Sequence, residues 1–309
     1  MPSSTRCRTT GLTTEQQVWL TEQATCSVPS SQENPSGPSS PHGSYNGYVE
    51  NPRDVSDTTD QNFRRMHYEA HNFTLSIFWS PFLVRSEDGR LPGLSWSGLW
   101  NLYLDEADPA WTSQLGGFDF LIISGGNWFT RPSVFYEKHR IVGSNYYLLR
   151  NIKVLNLEYA NWKAFRAAFD AINKAGRAGR FRGDVFLRTL SPSHFENGQW
   201  DSGGDCVRKW PFRRNETRMM PMEEKLYKQQ LVEFRRAKAE AKKRKKGVRF
   251  RLLEATAAML LRPDGHPSRY GHWQDQNVVL RNDCVHWCLP GPVDMWNDIF
   301  LQMLKDPYA

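Results

Sequence analysis

The chain has no long apolar run. No stretch of its 309 residues approaches the roughly 18 consecutive apolar residues of a membrane-spanning helix, and its first residues lack the charged, apolar and small-residue order of a secretory signal. Cysteine is scarce too: there are five, an odd number, so at least one stays unpaired unless it bonds to another molecule. The sequence by itself therefore indicates neither a membrane-embedded protein nor a small scaffold held together by many disulfides.

Large rings and positive charge are abundant instead. Aromatic residues make up 13% of the chain, with 12 tryptophans, which predicts a globular protein with a ring-rich core. The net charge is +7, and most of the excess lies in residues 235–251, after a segment whose Glu and Lys residues stand three and four apart. That spacing is typical of a solvated helix face. We therefore expect no nucleic-acid partner, with a basic recognition patch as the alternative.

The composition changes near residue 49. Residues 1–48 are rich in Ser, Thr, Pro, Gly and Gln and are predicted to be disordered, because they cannot bury enough apolar surface to offset the entropy cost of ordering. Residues 49–309 form the predicted folded domain, in which strand-like and helix-like segments alternate. Strands are predicted at residues 73–82, 118–124, 184–190 and 248–253, and helices at residues 159–175, 222–246 and 294–304. This order predicts an α/β sandwich with a mainly parallel sheet. The last helix is expected to bury Trp296, Ile299, Phe300 and Met303.

Three polar segments are expected to meet at the carboxyl ends of the strands, where open α/β sheets carry their sites. They read ISGGNW, RTLSPSHF and DCVHWC. In the last of them Asp283 and His286 stand three residues apart, and a carboxylate beside an imidazole can fix its tautomer and make it a general base. The alternative is a capped turn with an exposed histidine. Two further histidines, His266 and His272, are expected to be loop scaffolding.

The cysteines around this segment allow two interpretations. Cys206, Cys284, His286 and Cys288 are zinc-ligand types, but their spacing does not match that of structural zinc sites, and no metal is expected. A disulfide between Cys206 and Cys284 would instead tie the end of a long loop to the DCVHWC segment, and it would need an oxidising compartment. Two N-glycosylation sequons, NFT and NET, agree with such a compartment.

Taken together, these segments resemble the plant trichome birefringence-like family, which comprises polysaccharide O-acetyltransferases with a GDSL/SGNH-esterase-like fold. The matching segments are FTLSIFWSPFLVR, NLYLDEADPAWTSQL, GGNWFTRPSVFYE, RTLSPSHFENGQWDSGGDC, AMLLRPDGHPSRYGH and DCVHWCLPGPVDMWNDIFLQML. The resemblance implies a three-layer SGNH-hydrolase-like sandwich and acetyl transfer to a sugar hydroxyl of xyloglucan or a related hemicellulose. It also implies residence in the Golgi and a membrane anchor. No bound cofactor is expected, and the acetyl donor, which acetyl-CoA could supply, is a co-substrate.

The resemblance further implies roles for individual residues. Asp283 and His286 would be two members of a Ser-His-Asp triad, in which the acetyl group passes to a serine and then to the sugar. Gly126 and Asn127 are the candidates for donors to the oxyanion. Candidate sugar-binding side chains, for which burial in the core is the alternative, are Trp128, Phe129, Arg188, His194 and Trp200.

The chain departs from the family pattern at the nucleophile. The family carries its serine in a Gly-Asp-Ser motif well before the matching segments begin, and this chain contains no such triplet. The first strand and helix of the fold, and the anchor, are therefore expected to be missing. Ser124, Ser191 and Ser202 could replace the serine, but their spacing favours none of them. Cys288 is expected to have lost its disulfide partner, with Cys26 a remote substitute. The alternative function is an inactive, truncated member that binds a glycan or a partner.

Overall fold

The computed structural model describes residues 17–22, 52–57, 63–89, 98–146, 151–243, 247–269, 282–288 and 291–305. The strands in these ranges are β1 Gln17–Glu22, β2 Arg53–Asp54, β3 Phe63–Tyr68, β4 Phe73–Trp79, β5 Val84–Asp88, β6 Trp100–Ala107, β7 Phe120–Ile123, β8 Ser133–Glu137, β9 Arg140–Ser144, β10 Asp184–Arg188 and β11 Arg249–Leu253. The α-helices are α1 Pro109–Thr112, α2 Leu157–Arg177, α3 Pro221–Lys242, α4 Thr256–Met259 and α5 Pro292–Lys305. The predicted strands and helices are thus confirmed, with ends that shift by a few residues.

The main sheet is mixed, so the prediction of a mainly parallel sheet is wrong. Seven strands lie in the order β11-β10-β7-β1-β4-β3-β2, and of their pairings β7 with β10 and β10 with β11 are parallel while the rest are antiparallel. A parallel pair needs a long crossover, which α2 supplies between β7 and β10, and α3 between β10 and β11. A short connection joins β3 to β4, and it brings them together antiparallel.

Helices cover both faces of this sheet. Leu121 and Ile123 of β7 point into a core formed with α2 and α3, while Ile122 between them points into a second core formed with α5. Trp296 and Phe300 of α5 are buried in that second core, and burying one such ring contributes about 2–3 kcal/mol. Ile299 and Met303, also predicted to be buried, are partly buried beside them. The described residues therefore form three layers, as the family resemblance implies.

A second, smaller sheet, which the sequence analysis did not predict, lies against the first half of α2. Its strands lie in the order β5-β6-β8-β9. Leu102 and Phe135 of this sheet pack with Phe82 against Ala160 and Ala164 of α2. Small residues on that helix face allow close approach of the sheet. Within the described ranges, no helix is long and apolar enough to cross a membrane.

One strand of the main sheet comes from the segment predicted to be disordered. Residues Gln17–Glu22 form β1, which pairs antiparallel with β4 on one side and with β7 on the other. The low-complexity composition of residues 1–48 had predicted no order there, because composition is averaged over the whole segment while QVWLTE is locally strand-like. The other residues of that segment lie outside the described residues.

Candidate active site

The carboxyl ends of β7 and β10 are held together by buried polar contacts. Arg188, the last residue of β10, donates to the hydroxyls of Ser124 and Ser191, and its guanidinium lies 4.1 Å from the ring centroid of Trp296. Because buried polar groups need partners, these contacts fix the two connections that leave the strands.

Gln230 of α3 bridges the same two connections. It donates to the Gly125 carbonyl at 2.7 Å and accepts from the Leu190 N–H at 3.0 Å. The next residue, Gly126, has a φ of +144°, and a Cβ there would lie 2.6 Å from Leu190 Cδ1, so only glycine fits. The turn that Gly126 begins is therefore fixed beside the end of β10.

Asp283 and His286 form the predicted carboxylate–imidazole pair. The Nδ1 atom of His286 lies 2.9 Å from Oδ2 and 3.1 Å from Oδ1 of Asp283. Oδ1 also accepts from the backbone N–H groups of His286 at 3.0 Å and Val285 at 3.3 Å, as an N-cap aspartate does. The same geometry is therefore both a capped turn and a carboxylate–imidazole pair. With Nδ1–H donated to Asp283, Nε2 carries the lone pair that a general base needs.

The electrostatics of the pair keep Asp283 ionised. Burial by itself would raise the pKa of this carboxyl, but the hydrogen bond and charge of the His286 ring, with the backbone N–H groups of His286 and Val285, lower the pKa below its ordinary value. The His286 side chain is 40% exposed, whereas that of Asp283 is 19% exposed. The arrangement therefore presents an accessible imidazole backed by a carboxylate.

The turn that carries the pair is anchored on both sides. The predicted disulfide between Cys206 and Cys284 is present. The N–H of His194 donates to the Cys284 carbonyl at 3.0 Å, which joins the β10 connection to the turn. Asp283 and Ser268 exchange two backbone hydrogen bonds, of 2.8 and 3.1 Å. The segment from Arg188 to His194 therefore connects the edge of the sheet to the Asp283–His286 turn.

Two buried histidines lie directly behind this turn. His194 Nδ1 is 2.8 Å from His266 Nε2, and His266 Nδ1 is 2.6 Å from the carbonyl oxygen of His286. The Trp287 ring covers His266 with 4.1 Å between ring centroids. His266, expected to be loop scaffolding, is thus in direct contact with the backbone of the candidate base. His272 lies outside the described residues.

Several predicted sugar-binding residues are in places that do not suit that role. His194 and Arg188 are buried and their polar atoms lie against protein groups, so a sugar does not reach them. Phe129 is in the core, and Trp128 packs edge-on against Trp79 and other rings. The aromatic character of these residues serves the core instead. Gly126 and Asn127 remain oxyanion candidates at the edge of the sheet.

Trp200 is the predicted sugar-binding residue that is accessible, and Trp210 on the same loop was missed. Their side chains are 65% and 76% exposed. Cys206 lies between them in the sequence and bonds to Cys284, so the loop is fixed beside the Asp283–His286 turn. The sequence could have indicated Trp210, because two tryptophans flank a cysteine that was already expected to form a disulfide with that turn. Exposed large rings are informative because most rings are buried.

The structure describes the surroundings of the three candidate serines and of Cys288. Ser124 and Ser191 are buried against Arg188, and the Ser202 hydroxyl accepts from the Gln199 N–H in an exposed turn. Cys288 is disulfide-bonded, so the expectation that it had lost its partner is wrong. The described residues contain no group of three or more His, Cys, Asp or Glu that could hold a metal ion.

Comparison with known proteins identifies relatives of this chain. Residues 45–303 match the PC-esterase family, a GDSL/SGNH-like acyl-esterase family found in Pmr5 and Cas1p. Protein trichome birefringence-like 19 of Arabidopsis thaliana is 53% identical over 257 residues, which are 83% of this chain and 59% of the relative. Trichome birefringence-like 20 of the same plant is 46% identical, over 79% of this chain and 50% of the relative. Xyloglucan O-acetyltransferase 4 of Populus trichocarpa is 41% identical, over 81% of this chain and 57% of the relative. The chain therefore spans little more than half the length of these relatives.

Proposed function

The chain belongs to the PC-esterase family, and from this premise we propose that it serves transfer of an acetyl group to a sugar hydroxyl of xyloglucan or a related hemicellulose. One observation carries the proposal: His286 Nδ1 lies 2.9 Å from a carboxylate oxygen of Asp283, on an accessible turn at the carboxyl edge of the sheet. In a Ser-His-Asp mechanism His286 would take the proton of the attacking hydroxyl and return it to the leaving group. Asp283 would hold the ring and stabilise the imidazolium.

The acyl-enzyme step needs a nucleophile besides this pair. The attacking oxygen forms an ester with the acetyl group while His286 takes its proton, and the donor's leaving group departs with that proton. The sugar hydroxyl then attacks the ester while His286 takes its proton. The acetyl group passes to the sugar, and the proton returns to the oxygen of the nucleophile. Because the chain contains no Gly-Asp-Ser triplet, an inactive glycan-binding protein is the second candidate function. Without a nucleophile, the Asp283–His286 pair has nothing to activate.

The acceptor would lie on the loop that carries Trp200 and Trp210. Flat exposed rings cover the C–H faces of pyranoses, and both rings lie within six residues of Cys206, which is bonded to the catalytic turn. The hairpin that presents Trp200 is closed by two backbone hydrogen bonds between Glu196 and Asp205, of 2.7 and 2.8 Å. A fixed loop loses little entropy on binding, which favours a binding surface.

One experiment separates the two candidate functions. The purified chain is incubated with acetyl-CoA, or with an activated acetyl ester, and a xyloglucan oligosaccharide, and the acetylated product is measured by mass spectrometry. Turnover that is lost in His286→Ala but kept in the exposed control His139→Ala supports acetyl transfer. Absence of turnover rejects acetyl transfer. The second candidate is then supported if a xyloglucan-containing gel retards the chain and if Trp200→Ala and Trp210→Ala abolish this retardation.

A further inference from the structure

The buried pair His194 and His266 forms a short chain of polar contacts that ends at the candidate base. His194 Nε2 lies 3.0 Å from the Leu260 carbonyl oxygen, His194 Nδ1 lies 2.8 Å from His266 Nε2, and His266 Nδ1 lies 2.6 Å from the His286 carbonyl oxygen. All four ring nitrogens are therefore in contact with a polar atom. Both rings are buried, and Trp287 packs against each of them.

The three contacts of the histidine pair need more N–H groups than two neutral imidazole rings carry. A carbonyl oxygen only accepts, so each of the two outer contacts needs an N–H from the ring, and the central contact needs one more. Three protons are required, but two neutral imidazoles carry only two. Either the pair holds one positive charge, or one of the three contacts lacks its proton.

The surroundings indicate where the missing proton belongs. Burial lowers the pKa of both rings, that of His266 to about 3, where the neighbouring His194 adds to the effect. Both rings are then neutral near pH 7, and the longest contact, from His194 to Leu260, is the one that lacks a proton. His266 Nδ1–H donates to the His286 carbonyl, and His194 Nδ1–H donates to His266 Nε2.

The charged groups that face the pair differ between the two rings. Glu196 and Asp264 face His194 and raise its pKa against the effect of burial. Asp283 faces His266 and raises its pKa, whereas the His286 ring lowers it. A proton that enters the pair therefore goes to His194 Nε2, which completes the contact with Leu260. A second proton has no acceptor left, since every ring nitrogen then carries one or accepts one.

We propose that His194 and His266 are positioning residues for the reaction at His286: the pair fixes the backbone of the catalytic turn through His266 Nδ1–H and takes up a single proton, at His194 Nε2. This inference rests on the proposed function, because it assigns the pair to the turn that carries the base. His266 holds the turn at the His286 carbonyl. His194 holds the same turn at a second point, because its backbone N–H donates to the Cys284 carbonyl at 3.0 Å. The pair contacts the backbone of the turn, at the carbonyl oxygens of His286 and Cys284.

The pair also gives the fold a pH dependence of known sign. A histidine whose folded pKa is lowered binds fewer protons when folded than when unfolded, so its stabilising effect is complete above about pH 6.5 and declines as the pH falls. Each excess proton on the unfolded chain shifts the unfolding equilibrium about tenfold per pH unit. Before the native pair takes up a proton, the unfolded chain binds two more protons than the folded chain, and afterwards it binds one more. The dependence of the free energy of unfolding on pH should therefore become less steep.

The tautomers of the wild-type rings test the inference without any turnover. The chain is labelled with ¹⁵N and ¹³C in its histidines, of which there are eight, and signals are assigned with single variants. Near pH 7 we expect protonated Nδ1 and acceptor-type Nε2 shifts for His266, and one protonation step confined to His194 on acidification. A protonated Nε2 on His266 near pH 7, or two separate steps near pH 6.5, would overturn the inference.

A matched pair of variants tests the positioning role. His266→Asn keeps an N–H donor in the place of Nδ1, whereas His266→Gln puts its amide in the place of Nε2, toward His194. We expect the His286 amide and ring signals to stay in place in the Asn variant and to shift in the Gln variant. With turnover established, kcat should fall about fivefold in the Gln variant only, with KM unchanged. Equal effects of both substitutions would contradict the role.

Discussion

Asp283 serves two purposes with one side chain. Its Oδ1 caps the turn by accepting from the N–H groups of Val285 and His286, and both its oxygens face the imidazole. The three-residue spacing of aspartate and histidine was readable from the sequence, because it is local and fits a capped turn. The contact of His266 with the His286 carbonyl was not readable, since 20 residues separate the two partners.

The lowered pKa of Asp283 makes its contribution to stability pH-dependent. A carboxyl whose folded pKa is below the unfolded value of 3.8 stabilises the fold fully above about pH 4, and this effect is lost as the pH falls through the folded pKa. Asp283→Asn should therefore lower the free energy of unfolding by about 1.5 kcal/mol at pH 6, and by less at pH 3. Urea unfolding at both pH values measures this. Asp298→Asn, on the exposed side of α5, is the control and should change little. A deficit that stays constant with pH would contradict the expectation.

The helices α2 and α3 are joined by a buried acid that the helical pattern did not reveal. The side chain of Glu233 in α3 is fully buried and accepts from Trp162 at 2.7 Å, from Arg166 at 2.9 and 3.1 Å, and from Arg236 at 2.7 Å. Helical spacing predicted both helices, because it depends on neighbours three and four residues apart. Which charged residue faces the other helix depends on packing. The segment was predicted as a solvated face for that reason.

Glu233→Gln is expected to lower the free energy of unfolding by about 2 kcal/mol at pH 7, because the partly exposed Arg166 loses the carboxylate that it contacts and Arg236 keeps only Asp170. Burial raises the pKa of Glu233, but the hydrogen bonds from Arg166, Arg236 and Trp162 outweigh it and lower the pKa. The effect should thus be complete above about pH 4.5 and fade as the pH falls further. The matched control is Glu240→Gln on the same helix, whose pairs with Arg177 and Lys243 are exposed and contribute under about 1 kcal/mol. Equal losses in chemical denaturation would contradict the network.

Strand direction could not be predicted from the sequence. The run FDFLII is apolar on both faces, which indicates a strand covered on both sides, and β7 is indeed covered by helices on both sides. The same pattern says nothing of whether a neighbour runs parallel. Where a helix intervened between strands, as α2 does, the parallel prediction was correct. The strand β3 was not predicted, and its short connection to β4 enforces an antiparallel pair.

Across the whole molecule, the three polar segments of the predicted site lie together as expected, but several of their side chains are buried. The segments ISGGNW, RTLSPSHF and DCVHWC all lie near the carboxyl ends of the strands, because chain order and crossovers fix which ends meet. Periodicity could not say which aromatic and basic side chains in these segments are buried. Arg188 and His194 therefore looked like ligands when they are parts of the scaffold, whereas Trp210 is exposed.

The position of β1 between β4 and β7 can be tested directly. If the strand pairs on both edges, amide hydrogen exchange in residues 17–22 should be slow, and comparable with that in β7. Leu20→Pro, at a position that pairs with Ser76 and Leu121, removes a backbone donor from the interior of the sheet and should lower the free energy of unfolding by about 2 kcal/mol or more. Arg53→Pro in β2, which among the described strands pairs only with β3, should cost less. Fast exchange in residues 17–22, together with an unchanged stability of Leu20→Pro, would mean that these residues do not complete the sheet, and that the facing edges of β4 and β7 need another strand.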